Sequence, residues 1–313
     1  MKRVLVIGLG AVGTVFATFL KGAGNTVYAL VKDSQTKHFS DGKVRVDGIW
    51  GEYVTQLDGI FSKVESLSNI NFDLIILSVK SYDTEDAVKF VKELVKEGTL
   101  LLLTQNGYGN YERAVEYVPK ERVLLGRVIF GAKVNHPGYV TVTVNADDVR
   151  IGQPECLGEE KDILETVCTI KHAGIPASYS RNVYKILWDK ILYNCALNPL
   201  GAILEKTYGE LADNQDTVAI MNSIIREIFQ VCRLKGIELN FKTPEDYIDH
   251  FYTKLIPPTR QHYPSMYYDL KSGRKTEIEA LNGAVVELGR SVGYIPIVNL
   301  TISTIIRGKS IKV

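Results

Sequence analysis

The chain has 313 residues, 23% of them charged, with a formal net charge of +1. That length exceeds what one hydrophobic core usually supports, so two domains are expected, and the balanced charge argues against nucleic acid or an anionic membrane surface as the main partner. Cys156, Cys168, Cys195 and Cys232 show no C-x-x-C spacing, and His38, His136, His172, His250 and His262 form no ligand cluster, so the expectation is free thiols in a reducing cytoplasm, no metal and a small-molecule ligand.

Residues 3–7 read as a short buried strand, followed by Gly8-Leu9-Gly10-Ala11-Val12-Gly13 and an apolar helical run to Leu20. Strand, G-x-G-x-x-G and helix in that order form the dinucleotide fingerprint. Gly8 permits the tight turn, Gly10 lets the backbone approach a pyrophosphate, and Gly13 lets the helix pack close to the strand. The helix amino terminus offers unpaired N–H groups and a positive dipole end to the diphosphate. Lys2-Arg3 ahead of the uncharged stretch 4–20 superficially resembles a secretory leader. The three glycines argue against that reading, because each weakens a continuous helix by up to about 1 kcal/mol relative to alanine. No other uncharged apolar run is long enough to span a bilayer.

A second strand at residues 27–31 ends in Lys32 and Asp33. An acid there accepts a ribose 2′-hydroxyl, whereas a base neutralises a 2′-phosphate. Lys32 comes first and binds phosphate as a point charge, which favours NADPH over NADH, while Asp33 keeps NADH open. The alternative is that both are surface turn residues. Residues 43–64 look like an inserted hairpin. Strands at 72–79 and 99–104 enclose a helix at about 83–96, an alternation that argues for a parallel sheet. Lys80 and Asn106 directly follow these two strands, at the carboxyl ends where ligands collect in open parallel sheets. The alternatives are an ordinary surface lysine and an Asn-Gly turn. Strands at 123–130, 139–144 and 149–151, around a turn at His136-Pro137-Gly138, precede a helix at 159–173.

Beyond Ser180 the apolar spacing becomes helical, with helices expected at 183–198, 217–235, 244–255, 275–292 and 299–306. The reading is therefore an α/β Rossmann-type amino-terminal domain, residues 1–180, followed by an all-α carboxy-terminal domain, residues 181–313, with ligand expected in the cleft between them. Lys190, Asn194 and Asn198 stand at i, i+4 and i+8. Each such step advances about 400°, so their polar heads share one face, roughly 6 Å apart along the axis. The intervening Ile191, Leu192, Cys195, Ala196 and Leu197 favour burial, which points the row at a cleft; the alternative is a solvated helix face. Pro199 cannot donate to the Cys195 carbonyl and biases Asn198 away from helical dihedrals, so a kink is expected there.

Gly8 to Gly13, Lys80, Gln105-Asn106-Gly107, Trp188-Asp189-Lys190 with Asn194 and Asn198-Pro199-Leu200, Ser265-Met266 with Asp269, and Thr276-Glu277-Ile278-Glu279 with Asn282-Gly283 together resemble the ketopantoate reductase family. The resemblance covers nearly the whole chain in order. It implies NADPH-dependent reduction of 2-dehydropantoate to pantoate, on the route to pantothenate and coenzyme A, by a cytoplasmic homodimer. It makes Lys190 the general acid, gives Asn194 and Asn198 the substrate, gives Ser265 its carboxylate end, places Glu277 near the active site, and has Lys80 and Asn106 contact cofactor and substrate. The chemistry is independently coherent, since hydride addition to a ketone creates an alkoxide that an ammonium stabilises and protonates. Carboxamides suit hydroxyl and carbonyl groups because they both donate and accept. Glu277 either holds Lys190 or binds a ribose or substrate hydroxyl; its alternative is an acid favourable to a helix dipole.

Three departures stand against the family pattern: Lys32 where arginine is frequent, Tyr208 in a segment that often carries asparagine, and His262 in place of a polar amide. The latter two keep open another 2-oxo acid or an imine as substrate. A non-catalytic nicotinamide sensor is the alternative from another class, although a sensor needs no proton donor in its cleft. Hydroxyacid dehydrogenases with a helical second domain also pair a helix lysine with an asparagine four residues on, so that spacing alone does not decide.

Overall fold

The structure, a computed structural model, describes residues 1–310; residues 311–313, the end of the expected second domain, lie outside the described residues. By proximity the chain divides into two compact units, one of residues 1–105 with 110–184, the other of residues 106–109 with 185 onward.

The first unit is built on an eight-stranded sheet. Its strands are β1 (Arg3–Ile7), β2 (Thr26–Leu30), β5 (Gly59–Phe61), β6 (Leu74–Leu77), β7 (Leu100–Leu103), β8 (Val123–Arg127), β11 (Val149–Gly152) and β12 (Ala177–Tyr179). They run in the order β12-β11-β8-β7-β6-β1-β2-β5. From β5 to β8 all pairs are parallel, and β11 lies antiparallel to β8. Both faces are buried, which is why β6 and β7 read as unbroken aliphatic runs rather than alternating ones. The chain builds outward from β1 through β2, then crosses to β6 on the other side. The carboxyl ends of β1 and β6 therefore flank the switch point where such sheets bind ligands.

A second, four-stranded sheet holds β3 (Lys43–Gly48), β4 (Tyr53–Gln56), β9 (Phe130–His136) and β10 (Tyr139–Asn145). The expected hairpin at 43–64 is thus corrected. β3 and β4 do form an antiparallel pair, but β3 also pairs in parallel with β10, and β5 leaves to the edge of the main sheet. An isolated two-stranded hairpin cannot bury its apolar face, and joining the two hairpins lets Val44, Val46, Val140 and Val142 cover one side of α1 (Ala11–Gly22). With the main sheet on its other side, α1 is buried continuously from Gly13 to Leu20. Phe19 meets the Tyr53 ring at 4.6 Å and Trp50 at 5.7 Å. The unit also contains α2 (Thr84–Val91), α3 (Asn110–Ala114) and α4 (Glu160–His172).

Among the described residues no strand follows Tyr179. The helices are α5 (Val183–Leu204), α6 (Tyr208–Ala212), α7 (Gln215–Lys235), α8 (Pro244–His250), α9 (Ser265–Lys271), α10 (Asn282–Arg290) and α11 (Ile297–Ser310). The α/β-then-helical architecture expected from the sequence is present. No described helix is long and apolar enough to cross a membrane.

Two helix boundaries differ from expectation for physical reasons. The helix carrying Lys190 does not end at Asn198 but continues through Pro199 to Leu204. Proline removes the donor that would have satisfied the Cys195 carbonyl. Asn282, fully buried, supplies a replacement through its Nδ2, 3.2 Å from that oxygen. The expected helix at 275–292 is interrupted at Leu281, with φ −109° and ψ −111°, between a 3₁₀ turn at Ile278–Ala280 and α10. Instead of accepting from the following helical turn, the Ala280 carbonyl takes the Tyr108 N–H at 2.7 Å.

Replacing Asn282 by alanine leaves the Cys195 carbonyl buried without a partner, and the variant is expected to lose about 1–3 kcal/mol of stability. Chemical denaturation measures this, and an unchanged midpoint would show that the carbonyl has another donor.

Candidate active site

In the first unit, β1 runs directly into the glycine turn. Gly8 has φ +88°, and its N–H donates to Leu30 O at 2.9 Å, so the turn is anchored to β2. A Cβ on Gly13 would lie 1.9 Å from Gly8 O, whereas one on Gly10 would meet nothing within 4 Å. The protein thus requires glycine at Gly13 for its own packing, and Gly10 leaves open space above the backbone where a ligand approaches. Gly10 is the amino-terminal cap residue of α1, with no side-chain cap and no acidic residue in the first turn. The positive end of that helix dipole is uncompensated by any carboxylate there. Leu9 is buried, and Ala11 and Val12 are half-buried on the same turn. This cradle fits a dinucleotide diphosphate.

Lys32 follows β2 and is exposed, with its Nζ 2.8 Å from Asp83 Oδ2; Asp33 accepts a hydrogen bond from Ser62 Oγ at 2.9 Å. The Lys32–Asp83 pair has no signal in the sequence, since its members lie 51 positions apart. Lys80 is half-buried just beyond β6, and Ser78 beside it shares a 2.7 Å hydrogen bond with Thr104 beyond β7.

In the second unit α5 is buried nearly all round, with Leu187, Trp188, Ile191, Leu192, Cys195, Ala196, Leu197 and Leu200 each under a tenth exposed. Its polar row is no solvated face: Asn194 and Asn198 are each 7% exposed. Lys190 is half-buried and its Nζ donates to Asn106 Oδ1 at 2.6 Å. Asn198 Oδ1 accepts the Tyr208 phenol at 2.8 Å. No described residue takes a hydrogen bond from, or gives one to, the Asn194 carboxamide. The carboxamide of this largely buried residue is therefore left for a ligand or solvent to meet.

The loop Asn106–Gly109 holds Asn106 in place. Gly107 has φ +84°, and a Cβ there would sit 2.3 Å from Ala280 O. Tyr108 is fixed through its N–H on the same carbonyl and its ring 5.5 Å from that of Trp188. Glu277, 8% exposed, stands at the amino-terminal cap position of the 3₁₀ turn that carries Ala280. Ser265 is exposed at the first residue of α9, and Pro264 before it lies 3.0 Å from where a Gly201 Cβ would be, against the end of α5. The structure therefore brings Lys190, Asn106, Asn194 and Asn198 onto one helix and its docked loop. Tyr208, which the sequence marks only as a departure, joins them as the partner of Asn198. Among the described residues no cluster of His, Cys, Asp or Glu is arranged to hold a metal ion.

Two family profiles match this chain: "Ketopantoate reductase PanE/ApbA" over residues 4–155 and "Ketopantoate reductase PanE/ApbA C terminal" over residues 182–310. The chain belongs to the ketopantoate reductase family. It is 46% identical to the 2-dehydropantoate 2-reductase of Aquifex aeolicus, over 99% of this chain and 98% of that one. It is 30% identical to the 2-dehydropantoate 2-reductase of Pyrococcus abyssi, over 98% and 97% of the two chains. Among solved structures, a ternary complex of D-mandelate dehydrogenase with NADH and anilino(oxo)acetate superposes with a TM-score of 0.88 at 25% identity, covering 98% of each chain. As a member of this reductase family the protein is an oxidoreductase.

Gly107→Ala combines an unfavourable positive φ with a clash on Ala280 O, so the loop must shift and carry Asn106 away from Lys190. Displacements of about 1 Å cost up to roughly 100-fold in rate, and steady-state turnover with a thermal melt beside it checks this. Wild-type turnover in the variant would show that Asn106 needs no such docking.

Proposed function

We propose that this protein reduces 2-dehydropantoate to pantoate with NADPH, with the cofactor held by residues 1–180 and the substrate by residues 181–313. The relative that is 46% identical along the full chain supports the reaction, and the observation that carries the site is the row on α5. It is a lysine hydrogen-bonded to Asn106, followed on the same face by two carboxamides that are buried yet not fully engaged by the protein.

The turn from Gly8 through Leu9, Gly10, Ala11 and Val12 to Gly13 takes the diphosphate on the α1 amino terminus, and Lys32 takes the 2′-phosphate. Lys80 and Asn106 contact the cofactor, and Asn106 also contacts the substrate. When bound, the reduced nicotinamide supplies a hydride to the ketone carbon. As negative charge grows on the ketone oxygen, the Lys190 ammonium stabilises it and donates a proton, giving the alcohol and a neutral amine that solvent reprotonates. An ammonium has three N–H donors, and the bond to Asn106 Oδ1 helps fix the side chain that presents them. Asn194 and Asn198 hold the hydroxyl and carbonyl groups of the substrate, Ser265 its carboxylate end, and Glu277 orients Lys190 or a ribose hydroxyl. A homodimer in the cytoplasm completes the proposal, as the family resemblance implies.

A second reading is reduction of another 2-oxo acid with NADH. Its support is specific: Lys32 is already paired with Asp83, and the D-mandelate dehydrogenase neighbour holds NADH. An NADPH and NADH oxidation assay against a panel of 2-oxo acids including 2-dehydropantoate decides between them. Lys190→Ala is expected to lower turnover by about 100-fold or more, and unchanged turnover would remove Lys190 as the acid. Lys32→Ala is expected to raise the KM for NADPH well beyond that for NADH. Equal effects on both would take Lys32 out of the phosphate site.

A further inference from the structure

Tyr208 is held more firmly than a pocket-lining residue requires. It opens α6, whose cap residue Thr207 forms a reciprocal box with Glu210. Its own N–H donates to His262 O at 3.1 Å, and the next N–H, of Gly209, donates to Arg260 O at 2.8 Å. The ring is 4% exposed, edge-on to Tyr193 at 5.7 Å and tilted against His262 at 5.4 Å. Tyr193 is in turn fixed by a 2.8 Å hydrogen bond to Thr259. Burial, reinforced by Tyr193, pushes the Tyr208 phenol well above its ordinary pKa, so it stays a donor across the working range.

That donor has one acceptor among the described residues, Asn198 Oδ1 at 2.8 Å. A flipped carboxamide would turn its NH₂ towards the phenol and leave the buried O–H with nothing to donate to, at a cost of about 1–3 kcal/mol. The amide is therefore held one way round. One Oδ1 lone pair is taken by the Tyr208 phenol, and no described residue accepts a hydrogen bond from Nδ2.

We propose that Tyr208 is a positioning residue that fixes which way round the Asn198 carboxamide sits, so that Nδ2 is the group it offers the substrate and the atom seated on Nδ2 is an acceptor oxygen. A free carboxamide takes donors and acceptors alike. This one selects for a carboxylate, carbonyl or hydroxyl lone pair and against an amine or ammonium at that seat. The inference rests on the reading of Asn198 as a substrate ligand.

The test is a double-mutant cycle of Tyr208→Phe and Asn198→Ala with kinetics on 2-dehydropantoate and NADPH, each variant also taken through a thermal melt. Tyr208→Phe keeps the ring and removes only the hydroxyl. The expected result is a rise in KM for the 2-oxo acid of about tenfold, as for loss of one oriented hydrogen bond, with kcat within about twofold and KM for NADPH unchanged. The double variant should match Asn198→Ala alone, because without the carboxamide the phenol has nothing to orient. A purely structural role would lower the melting temperature, leave the KM split absent and make the two effects add; either of those kinetic results overturns the proposal. If Asn198→Ala raises KM but Tyr208→Phe does not, the positioning role falls while the substrate site stands. If wild-type protein turns over no 2-oxo acid, or Asn198→Ala has no effect on KM, the underlying reading fails, and the positioning role with it.

Discussion

The hydrogen bond from Asn282 to the Cys195 carbonyl is the contact on which the helix α5 depends. A proline in the interior of a helix ordinarily ends or kinks it, because the carbonyl four residues back loses its donor. Here Cys195 O is buried within the helical unit, and Asn282 satisfies it from the start of α10. The same Nδ2 group also reaches Asn299 Oδ1 at 3.0 Å, and Asn299 Nδ2 donates to Glu227 at 2.8 Å. Glu227 in turn takes the backbone N–H groups of Val298 and Asn299 in the first turn of α11. One polar chain thus ties α5, α10, α11 and α7 together through the one point where α5 would otherwise fail. Asn198 keeps its place in the row because the residue after it is accommodated.

A second constraint reaches the same helix from the loop at residues 106–109. Ala280 O is freed by the break at Leu281 and is taken by the Tyr108 N–H. Only glycine fits at position 107 beneath it. The broken helix and the glycine are therefore one device, which brings Asn106 to Lys190. It accounts for the run Gln105-Asn106-Gly107 better than a generic turn does. A turn demands φ > 0 alone, whereas this position also demands the absence of a Cβ.

Much of this was legible in the sequence, and the boundary lies where local pattern gives way to long-range pairing. The glycine fingerprint, the aliphatic strands and the row at Lys190, Asn194 and Asn198 are local, and their spacing carries the physics directly. The strand β9 was not legible, because residues 130–136 are mostly exposed and lack the apolar alternation that marks burial. β12, α6 and α9 are too short, at 3, 5 and 7 residues, for a periodicity to register. The end of α5 escapes a local reading because proline is a local signal, while the remedy, Asn282, stands 87 positions away from Cys195. Tyr208 was visible as a departure, but nothing local says that its hydroxyl meets Asn198.

In the proposed reaction, the choice of carboxamides beside the lysine follows from electrostatics. A 2-oxo acid is an anion, and a second ammonium on α5 would bind it more strongly. That charge would also oppose the Lys190 ammonium, since like charges within a few ångströms repel. A lysine in the proposed proton-donor role must be protonated when the substrate arrives, so the row has to attract oxygen without adding charge. Asn194 and Asn198 do this with N–H groups that do not titrate. A carboxamide has one liability, that it presents its oxygen as readily as its nitrogen. The Tyr208 phenol, kept neutral by its burial, removes that ambiguity at Asn198 without adding a charge of its own.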